Sequence, residues 1–331
     1  MTLRRMFGAL CIVIAGCGRY DEFVLPKAGE PERGEYVWQA VRAPVLPRGP
    51  EPWDQSDALN PAVVRQGDIY FNFYSGFDGR IWHTGLAISG DGLRWSKRGR
   101  VLSPEGWEGD YIAANGCALI HQGEFFYWYQ VGRLPRITLA RSRDGRIWRK
   151  HGRAVLEPGP RGSWDERGVA DPYLIALDGF FYLFYLGQDR AMRQRIGVAR
   201  STDGVQWTKL RSNPVLELGD YGEFDEKGLG EPAVWRAHGS YWMLYTGRDQ
   251  GERRRMGLAR SQDGVRWLKL KSMVIGGEED WNAAVVCDPS VEVDGDDVHV
   301  WFGGGDRPSP DERLNGQIGY GRLRWRKDSK W

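Results

Sequence analysis

Residues 171–216 decide the fold and read DPYLIALDGFFYLFYLGQDRAMRQRIGVARSTDGVQWTKLRSNPVL. An acidic residue followed by Pro opens an apolar strand, and a Gly-marked turn leads to an aromatic strand. A Ser-x-Asp-Gly-x-x-Trp turn then precedes a strand that ends at Val-Leu. Helical periodicity is almost absent, and strand and turn patterns alternate throughout. The stretch therefore predicts short strands joined by tight turns.

The same unit is written five times along the chain. Its opening residues recur every 55 to 60 residues and are Asn60-Pro61, Asn115-Gly116, Asp171-Pro172, Glu231-Pro232 and Asp288-Pro289. A repeat of this length, made only of strands and turns, is typical of a β-propeller. We therefore predict an all-β fold, a five-bladed β-propeller, over residues 36–331.

The last unit lacks the strand that follows the Trp turn in the other units. The missing piece lies at the other end of the chain, because Trp38 to Leu46 matches Trp207 to Leu216. We expect the N-terminal strand to complete the last blade. This pairing would close the ring and remove a free strand edge.

Two repeated motifs are predicted to be architectural because they occur in most units. In the Ser-x-Asp-Gly-x-x-Trp turns, Gly accepts a positive φ, Asp holds backbone N–H groups, and Trp packs between blades. A second motif, Trp-Asp or a close variant, lies seven or eight residues before each opening residue. For this reason Asp54, Asp165 and Asp225 are discounted as catalytic residues.

The N-terminus has the pattern of a signal peptide, with Arg4 and Arg5 before a short apolar run. The sequence Ile14-Ala15-Gly16-Cys17 resembles a bacterial lipobox, and the resemblance implies cleavage before Cys17 and lipid attachment to its thiol. The alternative is an ordinary secretory signal. We expect a lipoprotein signal peptide at 1–16, a tether at 17–35, and an exported protein anchored by lipid to the bacterial cell envelope.

Composition excludes several partners. The net charge is +2 with acidic and basic residues interspersed, so no nucleic-acid surface is predicted. The His residues show no metal-ligand spacing, and no cofactor is expected, although this many carboxylates are compatible with a structural Ca²⁺ in the central channel. Cys117 and Cys287 are predicted to be free buried thiols. We expect a monomer.

The opening residues are the candidate site, because the first residues of a propeller's inner strands meet at one mouth of the central axis. Three carboxylates and two amides would share that pocket. Glycoside hydrolysis needs a carboxylic acid and a second group acting as base or nucleophile. Crowded carboxylates raise one another's pKa, which keeps one of them protonated near neutral pH. The alternative is that each opening residue only caps its strand.

The units resemble the five-bladed propeller glycoside hydrolases of families 43, 32, 68 and 117, since Asp-Pro opens blade 3 and Glu-Pro opens blade 4. In family 43 an Asp of blade 1 is the base. The resemblance implies that Asp171 tunes the acid and that Glu231 is the general acid. It also implies that the pairs after the second strands ring the mouth; these are Gln188-Asp189, Arg248-Asp249 and Asp306-Arg307.

Blade 1 departs from the family pattern, because Asn60 stands where the base is expected and an amide takes no proton at neutral pH. Asp57 is the candidate replacement, and Asp288 is an alternative. We expect Asn60, Asn115, Asp288 and Arg248 to bind substrate. The prediction is a glycoside hydrolase acting on an oligo- or polysaccharide. Two alternatives stay open: a non-catalytic glycan-binding propeller lipoprotein, and a phosphorylase similar to family 130.

Overall fold

The computed structural model describes residues 19–327, so the expected signal peptide and Cys17 lie outside the described residues. Within this range the chain is all-β, and regular helix is limited to three short 3₁₀ turns at Pro52–Asp54, Gly106–Glu108 and Asp280–Asn282. No helix between residues 19 and 327 has the length and hydropathy needed to cross a bilayer. Two strands precede the first repeat unit: β1 (Arg19–Asp21) and β2 (Gly34–Ala40).

The first two repeat units each form a group of antiparallel strands in chain order. Unit 1 contains β3 (Asp57–Leu59), β4 (Val63–Gln66), β5 (Ile69–Phe77), β6 (Trp82–Ser89) and β7 (Ser96–Leu102). Unit 2 contains β8 (Ala113–His121), β9 (Glu124–Val131), β10 (Arg136–Ser142) and β11 (Arg149–Lys150). Strands β3 and β4 both pair with β5, one on each side of the opening residue Asn60.

Units 3 and 4 repeat this arrangement with four strands each. Unit 3 contains β12 (Gly168–Leu177), β13 (Phe180–Gln188), β14 (Gln194–Ser201) and β15 (Thr208–Leu210). Unit 4 contains β16 (Gly228–Ala237), β17 (Ser240–Arg248), β18 (Arg254–Ser261) and β19 (Trp267–Ile275).

Unit 5 takes its fourth strand from the other end of the chain. It contains β20 (Val285–Asp294), β21 (Asp297–Gly305) and β22 (Gln317–Lys327). Strand β2 pairs antiparallel with β22 along its whole length, from Gly34 opposite Lys327 to Ala40 opposite Gly321. The predicted pairing of the N-terminal strand with the last unit is therefore present in the structure.

Each opening residue interrupts its inner strand in the same way. All five have a positive φ, between 47° and 53°, although none is glycine. In units 2 to 5 the ladder slips at this point, as in the shift between Ala170 and Tyr173. A left-handed residue costs about 1–2 kcal/mol, and such bulges re-aim a side chain next to a functional site. The bulges therefore set the direction of the opening side chains.

The Ser-x-Asp-Gly-x-x-Trp turns have the predicted structure. In the first, Asp91 Oδ1 accepts the N–H groups of Leu93 and Arg94 at 3.0 and 2.8 Å. The same bonds recur at the other three turns. Three of the Trp residues pack on an aromatic residue of the unit before them, in the pairs Trp148–Phe73, Trp207–Trp128 and Trp267–Phe184. Trp95 of unit 1 packs on Trp301 of unit 5. The motif therefore joins neighbouring units.

The carboxylates of the second motif are also architectural, as predicted. Asp165 is buried, and its Oδ2 accepts hydrogen bonds from Tyr185 at 3.3 Å and Lys209 at 2.5 Å. The same trio of carboxylate, tyrosine and lysine recurs in units 1, 2 and 4 around Asp54, Glu108 and Asp225. These carboxylates hold the outer strand of each unit to its second strand.

The chain before β2 lies against units 3 and 4. Strand β1 pairs in parallel with β15. Leu25 is 2% exposed, and its N–H donates to the carbonyl of Asp263 at 2.8 Å. Arg236 Nε donates to the carbonyl of Ala28 at 3.0 Å. Residues 19–33, which fall within the expected tether, are thus bound to the turns that end the inner and third strands of unit 4.

Candidate active site

The five opening residues line one cavity of about 330 Å³. Every unit contributes to its wall, and the opening residues are Asn60, Asn115, Asp171, Glu231 and Asp288. A second cavity of about 170 Å³ continues from the same five residues along the inner strands. The structure thus brings together side chains that are more than 50 residues apart in sequence.

The opening residues are linked to one another by hydrogen bonds. Asp171 Oδ2 accepts the N–H of Glu231 at 3.2 Å, and Glu231 Oε2 accepts the N–H of Asp288 at 3.2 Å. Asp288 Oδ2 then accepts the N–H of Asn60 at 3.2 Å, and Asn115 Nδ2 donates to Asp171 Oδ1 at 2.6 Å. Each carboxylate therefore binds the backbone of another unit, which is a structural role but not the capping of its own strand that the sequence left open. This role does not exclude chemistry, because the three residues also line the cavity.

Burial and crowding favour proton retention in this cluster. Burial, followed by repulsion from Glu231, raises the pKa of Asp171 to about 7. The same two causes raise the pKa of Asp288 well above its usual range. Arg254 is 8% exposed and faces these carboxylates; burial alone would lower the pKa of its guanidinium, but Glu231 and its neighbours raise it. Burial and crowding thus favour the protonated forms of Asp171 and Asp288 in spite of the neighbouring Arg254 cation.

Glu231 is the most exposed of these three acidic residues. Its residue is half-buried, whereas Asp171 and Asp288 are 8% and 6% exposed. A general acid must lie within hydrogen-bond reach of the leaving oxygen. The roles that the sequence resemblance implies for Glu231 and Asp171 stay predictions.

The structure does not bring Asp57 into the cavity. Asp57 is 0% exposed, and its two carboxylate oxygens accept the N–H groups of Arg313 at 2.6 Å and Gly316 at 2.7 Å. Asp57 is absent from the lining of both central cavities. A carboxylate enclosed by backbone donors cannot reach a water beside the substrate, so the geometry gives Asp57 a structural position instead of the predicted catalytic one.

Three residue pairs were expected at the mouth. Two of them each contribute their first residue to the cavity wall, and these residues are Gln188 and Arg248. Arg248 donates from NH2 to Gln194 Oε1 at 2.7 Å. Asp189 turns away, because Arg193 and Arg195 bind its carboxylate. Asp306 accepts a hydrogen bond from Asn315 at 2.7 Å and is not part of the wall.

Several residues of the wall were missed by sequence reasoning. Arg254 opens the third strand of unit 4, and Asp311 comes from the segment between β21 and β22. Tyr111 and Arg133 form a second part of the wall, with the Arg133 guanidinium 5.0 Å from the tyrosine ring centre. For Arg254, the aligned position in unit 3 is Gln194, also in the wall. A comparison of the first residues of the third strands in the different units could have pointed to Arg254 as a wall residue.

One group of side chains offers several metal-ligand atoms. The ligand atoms of Glu231, Cys287 and Asp288 lie within 4.8 Å of one another. Calcium requires six to eight oxygen ligands, whereas this group offers a thiol and two carboxylates beside a guanidinium. These donors do not fit Ca²⁺. Cys287 and Cys117 are both free and buried, as predicted, and the Cys287 thiol donates to Asp288 Oδ2 at 3.1 Å.

Comparison with known proteins places the chain in a family. Residues 62–309 match the glycosyl hydrolases family 32 N-terminal domain, and the chain belongs to this family. It is therefore a glycoside hydrolase-like propeller domain, and the resemblance to propeller glycosidases stated from the sequence is confirmed at that level.

Individual relatives are more distant. An uncharacterized protein of Mycobacterium tuberculosis, MT1551, is 28% identical over 231 residues, which cover 63% of this chain and 75% of the relative. A 1,2-β-oligomannan phosphorylase of a Thermoanaerobacter species is 30% identical over 100 residues, covering 28% of this chain and 33% of the relative.

Solved structures show the same fold. A thermostable family-43 glycoside hydrolase aligns with a TM-score of 0.65 at 16% identity, over 83% of this chain and 95% of the other. The β-1,2-mannobiose phosphorylase of Listeria innocua also gives a TM-score of 0.65, at 13% identity, over 81% of this chain and 89% of the other. At these identities the likeness concerns the fold alone.

Proposed function

We propose that this protein hydrolyses a glycosidic bond of an oligo- or polysaccharide in the central cavity. The observation that carries the proposal is the position of Glu231, which faces the cavity beside two buried carboxyl groups with raised pKa values, Asp171 and Asp288. This cluster can supply a proton to a leaving oxygen at neutral pH. Glu231 is the general acid, and Asp171 tunes it.

The base is assigned to Asp311. An amide at Asn60 cannot fill this role, and both oxygens of Asp57 are bound to backbone N–H groups. Among the described residues that line the large cavity, Asp311 is the carboxylate outside the three-carboxyl cluster, and it is exposed to water. Inverting enzymes separate their two carboxyl groups widely to hold a water molecule between them. Asn60, Asn115 and Arg248 would then contact the sugar.

Phosphorolysis is the second candidate, because two arginines line the cavity beside Glu231. Arg248 and Arg254 carry the guanidinium groups that suit a phosphate ion. The sequence similarity to a 1,2-β-oligomannan phosphorylase favours the same reaction. In this case inorganic phosphate would take the place of the attacking water, and no protein base would be required.

The test is a glycan panel incubated with and without inorganic phosphate. For any substrate cleaved by the unaltered protein, Glu231→Gln should lower kcat about 10²–10⁴-fold, the usual contribution of a general acid. Glutamine retains an oxygen that can accept the N–H of Asp288. Asp311→Asn should cause a comparable loss in hydrolysis but not in phosphorolysis.

Glu166→Gln is the matched control, since Glu166 is a poorly exposed glutamate paired with Arg190 outside the cavity. Its activity should equal that of the unaltered protein. Full activity of Glu231→Gln would refute the assigned acid. If glycans bind but are not cleaved, either with or without phosphate, the proposed enzymatic activity would be refuted and a carbohydrate-binding propeller would be favoured.

We infer that the five units form a closed five-bladed ring. Three contacts between units 5 and 1 support this: Asn60 N–H to Asp288, Val63 N–H to Ser290 Oγ at 3.0 Å, and Trp301 Nε1 to the carbonyl of Gly92 at 2.7 Å. Strand β2 pairs with β22 at the outer edge of unit 5, and the chain then runs on from β2 into unit 1. The chain itself therefore connects unit 5 to unit 1.

We also propose that the protein is exported and anchored by lipid at Cys17, on the strength of the residues 14–17 alone. Metabolic labelling with a palmitate analogue should mark the full chain and not Cys17→Ala. An unlabelled full chain would refute the anchor and leave the ordinary secretory signal.

A further inference from the structure

The segment 306–316, which connects β21 to β22, reaches from unit 5 to three other units; we call it the wall segment. Its contacts with unit 4 are made by Arg248 and Arg254, two of the arginines that line the cavity. Arg248 NH1 donates to the carbonyl of Pro310 at 3.1 Å. Arg254 NH2 donates to the carbonyl of Ser309 at 3.2 Å and also binds Pro310.

The other end of the wall segment is bound to units 1 and 2. Asp57 of unit 1 accepts the N–H groups of Arg313 and Gly316 at 2.6 and 2.7 Å. Tyr111, at the start of unit 2, donates its hydroxyl to Glu312 Oε1 at 3.3 Å. The cavity is lined by Pro310 and Asp311 between these attachments.

The backbone of the wall segment is held in a costly conformation. Arg313 and Asn315 have φ values of 63° and 58°. A non-glycine residue in this region persists only where the surrounding contacts determine it. The bonds to Asp57 come from Arg313 itself and from Gly316, which directly follows Asn315, and Leu314 is 0% exposed. Asp57 therefore holds the strained end of the segment.

From these contacts we propose that Asp57 is a positioning residue that clamps the wall segment across one side of the cavity, so that the site accepts only the end of a carbohydrate chain. The wall runs from unit 4 through unit 5 to the start of unit 2. On the unit 3 side the rim is open, where Met192 is 57% exposed. A cavity of about 330 Å³ closed on one side has room for a terminal segment but no exit for a continuing chain. This deepens the proposed glycoside-cleaving function and rests on it.

The clamp is tested without any substrate, by hydrogen exchange followed by mass spectrometry on the full chain. Asp57→Asn loses the charge and one acceptor, so amide exchange in 306–316 should rise at least about tenfold, as expected for a lost bond to a charged group. Asp189→Asn is the matched control, because Asp189 is also buried and accepts two backbone N–H groups, those of Ala191 and Arg193, but lies in unit 3. It should leave exchange in 306–316 unchanged. Equal exchange in the two variants would overturn the clamp.

The chain-end specificity is tested by product analysis with linear oligosaccharides labelled at one end. The unaltered protein should release only the smallest product from the first time point and should neither cleave nor bind cyclic oligosaccharides of the same linkage. Asp57→Asn combined with Tyr111→Phe should yield fragments of intermediate length. Early intermediate fragments from the unaltered protein, or binding of cyclic oligosaccharides, would overturn the proposal. Absence of all turnover would refute the proposed enzyme, while binding of linear but not cyclic glycans would still support the chain-end site.

Discussion

At the scale of single residues, the site depends on side chains whose chemistry is set by neighbours. Asp171 is an ordinary carboxyl group that burial and Glu231 convert into one with a pKa of about 7. Asp288 is changed in the same direction. Conversely, Asp57 has a carboxylate that could act as a base, but each of its two oxygens accepts a hydrogen bond from a backbone N–H group. Residue type alone therefore does not assign a role here.

The pH dependence of activity should report the three-carboxyl cluster. Since the pKa of Asp171 is raised, its proton is present below about pH 7 and is lost above it, so the activity of the unaltered protein should fall on the alkaline side. Asp171→Asn replaces this carboxyl group with an amide that does not titrate. The fall of kcat/KM near pH 7 should therefore disappear from the profile of this variant.

Asp189→Asn serves as the control for this profile, because Asp189 is bound by Arg193 and Arg195 outside the cavity. An alkaline limb that stays in place in Asp171→Asn would contradict the proposed tuning role.

At the scale of elements, the four trios of carboxylate, tyrosine and lysine explain why a repeated charged motif is found in the core. Each trio ties the outer strand of a unit to its second strand. In unit 3, Lys209 of β15 and Tyr185 of β13 both bind Asp165. Burying a charged pair is tolerated only when every partner is present. The motif is therefore retained in the units for architecture, and its carboxylates are unavailable for catalysis.

Removing one partner of a trio should be strongly destabilising. Lys209 is 4% exposed, and Lys209→Met would leave the Asp165 carboxylate buried without its cation. The free energy of unfolding, measured by urea denaturation, should fall by about 3–5 kcal/mol. Lys271→Met removes an exposed partner of Glu223 and should leave the free energy of unfolding nearly unchanged. Similar losses in both variants would contradict the architectural interpretation.

At the scale of the whole molecule, stability depends on the pairing of β2, near the start of the described residues, with β22 at their end. Strand β2 places Tyr36 among Trp235, Trp242 and Trp325, with ring centres 4.9 to 5.8 Å apart. These rings belong to unit 4 and unit 5. The N-terminal strand thus adds its core residue to a cluster that spans two units, and the last unit depends on it.

Tyr36→Ala tests this dependence. Tyr36 is 3% exposed, and deleting a buried aromatic ring should lower the free energy of unfolding by about 3–5 kcal/mol. Tyr221, which is 96% exposed, provides the matched control, and Tyr221→Ala should change stability by less than about 0.5 kcal/mol. A small effect of Tyr36→Ala would show that unit 5 is stable without β2.

The fold was predictable to a large extent because its determinants are local. Alternating apolar residues, Asp-Gly turns and Trp residues act within a few positions of one another, so their spacing is visible in one sequence. The gathering of Asn60, Asn115, Asp171, Glu231 and Asp288 followed from the repeat, since equivalent positions of equivalent strands occupy equivalent places. The N-terminal pairing followed from the same comparison of copies.

The sequence by itself thus determined the repeated strands, the turns that join them and the ring of opening residues. Only the tertiary structure decided what fills the space around that ring. Asp57 binds Arg313 across 256 positions, and the tie between Arg254 and Pro310 depends on how units 4 and 5 meet. The wall segment belongs to one unit and has no copy in the others. Its place is set by long-range contacts, which no local pattern of residues encodes.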